Sequence, residues 1–210
     1  MRLIIACMSL ELLAALTAFA FIASVTPGPN NLMLMASGAN FGVLRTLPHM
    51  FGVGLGFMAM IVLVGLGLAR LLDAFPVLYL ALKTASVLYL LYLAWKIANA
   101  APLASDAPTA NGKPFTFLQA AAFQWVNPKA WAMTLTALGA FAQASNAVVS
   151  VLIVALVFGA VNLPSISLWT LAGAQMRRFL SSPARLRAFN ITAALLLAAT
   201  VVPIMMGHSA

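Results

Sequence analysis

Acidic side chains are nearly missing from this sequence: Glu11, Asp73 and Asp106 are the only ones in 210 residues. Charged residues of both signs make up 7% of the chain, against roughly 25% in soluble domains. One cysteine, Cys7, excludes a disulfide framework, a thiol relay and a Cys-rich metal site within one chain. His49 and His208 stand far apart in sequence, so with so few carboxylates a metal centre or an acid/base pair is hard to assemble. No catalytic residue, metal ligand or cofactor is therefore expected, and the chain does not read as an enzyme. The formal net charge of +8 suggests nucleic acid at first sight. The basic residues, however, are scattered between apolar stretches rather than gathered into a stripe with interleaved aromatics, which argues against that partner.

What the sequence has instead is hydrocarbon: 64% of residues are hydrophobic and the mean hydropathy is +1.05. The expected class is an all-α membrane protein whose main partner is the lipid bilayer. At about 20 residues per span, 210 residues hold about six helices and no soluble domain, so residues 1–210 are read as one transmembrane domain. Arg2, the apolar run after it and the small residues Ala23 and Ser24 resemble a signal peptide, but cleavage there would discard half of a span that continues through Leu32 to Met35.

The first apolar stretch, Leu10 to Phe41, is too long for one straight helix, and Val25-Thr26-Pro27-Gly28-Pro29-Asn30-Asn31 sits inside it. Proline removes a backbone donor and clashes with the preceding turn, so a helix is expected to break at Thr26 to Pro29 and restart with proline in its first turn. Gly38 and Gly42 offer a small-xxx-small face. The second span runs from about Leu47 to Leu71, with Gly52, Gly54 and Gly56 allowing close backbone approach and His49 placed at its interfacial edge. The third, about Phe75 to Ala98, contains Lys83 and ends in the headgroup-level aromatics Tyr92 and Trp95, with Tyr79 near its start. The polar 100–114 linker follows. The fourth span, Phe115 to about Ala142, contains a second break at Asn127-Pro128, a good N-cap followed by a good first helical residue. The fifth, about Val148 to Ala172, has another polar interruption at Asn162-Leu163-Pro164-Ser165. A basic loop with Arg177, Arg178, Arg185 and Arg187 then leads to the last span, about Ala188 to Met206, which opens with Asn190.

With six spans, Arg45, Lys96, Lys113, Arg177, Arg178, Arg185 and Arg187 share one side of the membrane, and Arg2 and Arg70 the other. The richer side faces the cytoplasm, which puts both termini outside. The proline breaks each open a group of three spans, residues 8–99 and 115–207. Three is odd, so the second group is inverted, a recurrent plan in secondary transporters with paired broken helices.

Unwound backbone is tolerated at membrane depth where it is buried in protein or lines a polar cavity, which marks the breaks as a candidate site. Lys129 lies near the middle of span four, where a charge costs at least about 2.5 to 3.5 kcal/mol. Two readings answer that cost. Lys129 and two half-helix N-termini form a focus for an anionic group such as a carboxylate, or Lys129 bonds the freed carbonyls of span one. The candidate substrate-binding residues are Thr26, Pro27, Gly28, Pro29, Asn30, Asn31, Asn127, Pro128, Lys129 and Asn162. An amino acid would place its ammonium on carbonyls freed around Val25 and Thr26; with no acidic residue well inside a span, a neutral amino acid is favoured over a dibasic one.

Thr26-Pro-Gly-Pro-Asn-Asn31, Tyr89-Leu-Leu-Tyr-Leu-Ala-Trp95, Asn127-Pro-Lys-Ala130 and a late Arg-rich loop leading to Phe189-Asn190 together resemble the lysine-exporter and homoserine/threonine-exporter (LysE/RhtB) family. The resemblance spans essentially the whole chain. It implies a six-span inner-membrane exporter of amino acids or their derivatives, driven by the proton gradient. Many members carry an aspartate after the glycines of span two, where this chain has Phe57, so a proton carrier would fall to Lys129, to His49 or to another mechanism. The rival classes are a passive channel, a non-transporting membrane scaffold and a membrane redox carrier, the last of which needs two thiols. The glycine faces leave a homo-oligomer open.

Overall fold

The computed structural model of the chain describes residues 8–68, 76–99, 113–143, 146–176, 179–180 and 182–206, and all regular structure among them is helical. Arg2, Cys7, Arg70, Asp73, Phe75, Asp106, Arg177, Arg178, His208 and most of the 100–114 linker lie outside the described residues, as do the side chains of Tyr79 and Lys83.

Helix α1 (Leu10–Val25) starts at Ser9, whose hydroxyl accepts from the Leu12 amide at 3.2 Å, with Glu11 in the first turn where a negative charge meets the helix dipole favourably. It stops at Thr26 in extended backbone, and α2 (Pro29–Phe41) begins after Gly28, bent 54° from α1. Pro27 and Pro29 cause this stop and restart, since neither can donate to a helical ladder. Helix α2 ends at Gly42, which takes φ 78°, a conformation open to glycine, and α3 (Val43–Leu63) starts at once. Gly42 is thus a turn residue. The partner of Gly38 in close packing is instead Gly173: a Cβ on Gly38 would strike the Thr170 carbonyl, and one on Gly173 would strike the Met35 carbonyl.

Helix α3 begins before the expected Leu47 and continues into a π-helical stretch, Val64–Leu68. Its glycines do allow a neighbour close: Cβ atoms on Gly52 and Gly56 would meet the backbone of Phe117 and Ala121. His49, expected at an interface, is fully buried on α3 with its ring 5.1 Å from that of Phe115, and neither ring nitrogen meets a partner among the described residues.

Helix α4 (Pro76–Ala98) matches its expected bounds. Helix α5 (Phe117–Phe123) opens with a capping box between Thr116 and Gln119, passes into a 3-10 turn (Gln124–Val126), and α6 (Pro128–Phe141) restarts behind Asn127. Helix α7 (Ala147–Met176) runs 30 residues without stopping, so Pro164 interrupts no helix. Near the proline, Ser165 and Ser167 hydroxyls donate to the Val161 and Leu163 carbonyls at 2.8 and 2.7 Å, local bonds that help a proline persist within a membrane helix. Helix α8 (Pro183–Ala199) starts earlier than expected because Pro183 sits at a first helical position, which puts Arg185 and Arg187 inside the helix and Asn190 in its interior. A last short helix, α9 (Val201–Met206), follows.

Residues Val43–Gly67 and Ala147–Met176 are long and apolar enough to cross a membrane, and the bent pair α1 and α2 makes a third such unit. Helix α7 is the hub, packed on α2, α3 and α1, while α4 pairs with α8. One apolar core joins α1, α3, α6 and α7 through Leu16, Phe57, Ala137 and Phe158; another joins α2, α4, α5 and α8 through Met33, Leu90, Phe123 and Leu197. The proline breaks lie between these cores.

Candidate functional site

A helix that stops inside the bilayer leaves its last carbonyls without partners, each costly in a dry surrounding. Here side chains meet them one by one. The Ala23 carbonyl accepts from the Thr26 hydroxyl at 3.0 Å, and the Ser24 carbonyl from Asn31 Nδ2 at 2.8 Å. The Val25 carbonyl accepts from the Trp169 indole at 3.1 Å, and the Thr26 carbonyl from Asn31 Nδ2 at 2.7 Å. Lys129 reaches across from α6, donating through Nζ to the Thr26 carbonyl at 2.6 Å, the Thr26 hydroxyl at 2.9 Å and the Pro27 carbonyl at 3.4 Å. Of the two readings of Lys129, this conformation displays the second: the ammonium holds the freed carbonyls of span one.

The break around Asn127 is stitched similarly. Asn127 accepts from the Lys129 amide at 3.1 Å, and the Trp131 indole donates to the Trp125 carbonyl at 2.8 Å. Gln124 and Asn30 exchange a reciprocal pair of amide hydrogen bonds, 2.9 and 3.2 Å, and Gln124 also donates to the Ala120 carbonyl at 2.9 Å. The two breaks are therefore tied directly to each other, by Lys129 on one side and Gln124 on the other.

Between them lies a small cavity lined by Ser24, Gly28, Asn30, Asn127, Lys129 and Asn162, with Phe57 and Met133 as its apolar wall. The first turns of α2 and α6 both open onto it, bringing amides that a helix start leaves without ladder partners. Its volume of ≈ 20 Å³ is room for about one water molecule. Asn162 donates to the Ser24 hydroxyl at 3.2 Å, while its buried Oδ1 meets no donor among the described residues. The structure thus gathers Thr26, Pro27, Gly28, Asn30, Asn31, Asn127, Lys129 and Asn162 at one place. Pro29 and Pro128 stand at the two helix starts.

A model of the LysE type translocator family matches residues 21–206, a stretch that contains both breaks and every residue of the cavity. The chain belongs to that family. Its curated relatives include the cysteine/O-acetylserine efflux protein of Escherichia coli strain K12, 32% identical over 196 residues that cover 90% of this chain and 95% of the relative. The protein of the same name from Salmonella typhimurium strain LT2 is 32% identical over 191 residues, covering 89% and 93%. No solved structure matches the chain significantly. A LysE type translocator is a membrane transport protein and not an enzyme.

In this translocator Phe57 borders the central cavity and packs edge-on against Phe158 at 5.4 Å, so the wall is apolar where the family resemblance leads one to look for an aspartate. Gly28 is extended, and its role is spatial: a Cβ there would lie 2.6 Å from Lys129 Cδ. Gly28→Ala is expected to push the flexible lysine off Thr26 at a cost of about 1 kcal/mol to the arrangement seen here, a fall of about 2 to 4 °C in unfolding temperature read by thermal unfolding in detergent. Gln124, Ser24 and Trp169 are parts of the site that the sequence reading did not select. An amide side chain within an apolar stretch, three residues before Asn127 and not used in a helix cap as Gln119 is, is the signal that could have found Gln124.

Proposed function

We propose that this chain is an inner-membrane exporter of amino acids or amino-acid derivatives, in which Lys129 receives the cargo's carboxylate at the meeting of two half-helices. The observation that carries the reading is the position of Lys129: a membrane-embedded ammonium spans from α6 to the break carbonyls at the edge of a cavity too small for any amino acid. A cargo carboxylate competes with the Thr26 and Pro27 carbonyls for that ammonium. Its arrival unties α6 from the α1–α2 break and enlarges the cavity in one step. The released Thr26 carbonyl and the unpartnered Oδ1 of Asn162 then accept from the cargo's ammonium. The Val25 carbonyl, already held by Trp169, is no longer needed for that role.

In this reading residues 1–210 form one domain of six spans: α1 with α2, then α3 and α4; α5 with α6, then α7, and finally α8 with α9. The halves, residues 8–99 and 115–207, are inverted repeats joined by 100–114. Their packing supports the relation, since α1 lies on α7 as α5 lies on α3, while α3 meets α7 and α4 meets α8. The symmetry is incomplete because α2 packs extensively on α7 and α6 only slightly on α3, as expected when one repeat has rocked against the other. Both termini face outwards, and Arg45, Lys96 and Lys113 face the cytoplasm.

The cargo is neutral in its side chain. Glu11, the only carboxylate side chain among the described residues, stands at the far end of α1 and offers a dibasic cargo nothing at the site. Coupling is to the proton gradient, with Lys129 as the titratable group that touches both the break and the cargo. The test is export of a labelled panel from expressing cells: cysteine, O-acetylserine, other neutral amino acids, lysine and arginine. Saturable export with counterflow of one or more neutral members is expected. Strong preference for lysine or arginine overturns the neutral assignment, non-saturating flux turns the reading to a channel, and no export of any member removes it.

A further inference from the structure

A second cavity, ≈ 280 Å³, lies between α2, α4 and the segment that leads into α5, and the central site does not use it. Its lining includes Ser37, Asn40, Trp95, Lys96, Lys113 and Phe115. Lys96 Nζ sits 4.3 Å from the centroid of the Phe115 ring, and Lys113 is exposed at the rim. Arg45 adds a third cation, its guanidinium 5.9 Å from the ring of Phe41, which also borders the cavity. Among the described residues the only carboxylate, Glu11, belongs to the start of α1, at the opposite end of the broken span from the α2 residues that line this space. Basic groups gathered around a concave space attract an anion.

The cavity also leads somewhere. Asn40, Ser37 and Met33 follow one another along one face of α2 at helical spacing, and the next residue of that face is Asn30, which borders the central cavity. Met33 and Asn30 are about 4.5 Å apart along the helix axis. What stands at that step is the reciprocal Asn30–Gln124 amide pair.

We infer that this cavity is a docking site for the carboxylate of the cargo on the cytoplasmic side, held by Lys96 and Lys113 before the Asn30–Gln124 pair parts and admits it to Lys129. The inference rests on the export reading and adds a second binding site to it.

The probe is labelled O-acetyl-L-serine, presented separately to each face of the full-length protein in phosphatidylcholine vesicles. The double variant Lys96→Gln, Lys113→Gln, assayed without an ion gradient, is expected to raise the half-saturating concentration about tenfold from the cytoplasmic face with the maximal rate from that face kept, and, because the two fluxes must cancel at equal concentrations, to lower the maximal rate about tenfold from the other face with its half-saturating concentration kept; Lys96→Arg with Lys113→Arg restores both. Equal half-saturation in wild type and the Gln variant overturns the inference. So does a difference that exists only when phosphatidylglycerol is added, because the lysines then hold lipid headgroups. Trp95 supplies a reading independent of transport. The emission change on adding O-acetyl-L-serine, taken as wild type minus Trp95→Phe, is expected to vanish in the Gln variant and with the cargo's carboxamide analogue. A Trp95 signal of this kind without transport supports the cavity and counts against the export reading alone. Absence of the signal, or a signal indifferent to the Gln changes, overturns the cavity's role.

Discussion

Lys129→Met lowers export by about a hundredfold at matched membrane abundance, while most of the protein stays folded. Methionine keeps an unbranched apolar stem and removes only the ammonium. The cargo's carboxylate then loses its cation at the break, and a hydrogen bond to a charged group is worth about 1.5 to 3 kcal/mol, with each 1.4 kcal/mol a factor of ten. The fold survives because other donors serve most of the break: Asn31 serves Ser24 and Thr26, and Trp169 serves Val25, so that the bond lost without one of these replacements is the long one, 3.4 Å, to the Pro27 carbonyl. A purely structural lysine leaves the opposite pattern, a lowered unfolding temperature with the folded remainder exporting at the wild-type rate. Flux per folded molecule, set beside thermal unfolding in detergent, separates the two.

Asn31→Leu has its largest effect on folding. The side chain is 3% exposed, and its Nδ2 bridges the Ser24 and Thr26 carbonyls across the break. Leucine fits the volume and donates nothing. The Thr26 carbonyl keeps Lys129, but that of Ser24 is left without its side-chain donor in a dry surrounding. An unsatisfied buried group costs about 1 to 3 kcal/mol and the lost bonds add to it, so a total of about 3 kcal/mol is expected. Against a stability of about 5 to 15 kcal/mol that is a large fraction, and the folded yield drops severalfold. Detergent-solubilised yield and unfolding temperature measure it. Unchanged values mean that the break does not depend on Asn31.

The two breaks were legible because Pro27, Gly28, Pro29 and Asn127-Pro128 act locally: proline lacks a donor wherever it stands, and asparagine caps whatever follows. Lys129 was legible for a related reason, as a charge surrounded by apolar sequence. Their meeting in space also followed, because residues at membrane depth have few places to be. What the sequence hid was set by partners distant in the chain. Trp169 caps Val25 across 144 positions, and Gln124 finds Asn30 across 94, and neither pairing has a local signature. Pro164 misled because the helix continues through it, with packing against three neighbouring helices outweighing the one ladder bond that a proline removes. Gly42 misled in the other direction: its spacing from Gly38 suggested a packing face, whereas its positive φ makes the turn into α3. His49 reads as interfacial from its place beside Pro48; that it is buried within the protein against Phe115 depends on a partner distant in the chain and has no local signature.

The central claim is that the cargo's carboxylate takes over Lys129 from Thr26 and Pro27. Its most direct test is calorimetric binding of a transported amino acid and of its carboxamide, each to the protein with Lys129 and to Lys129→Met, both carrying Lys96→Gln and Lys113→Gln so that the second cavity no longer distinguishes acid from amide, arranged as a double-change cycle. The protein with Lys129 is expected to bind the acid at least about tenfold more tightly than the amide, and Lys129→Met to bind both with the same weak affinity. If Lys129→Met still prefers the acid in that background, or the protein with Lys129 binds the amide equally well, then Lys129 only holds the break together and the carboxylate is recognised elsewhere.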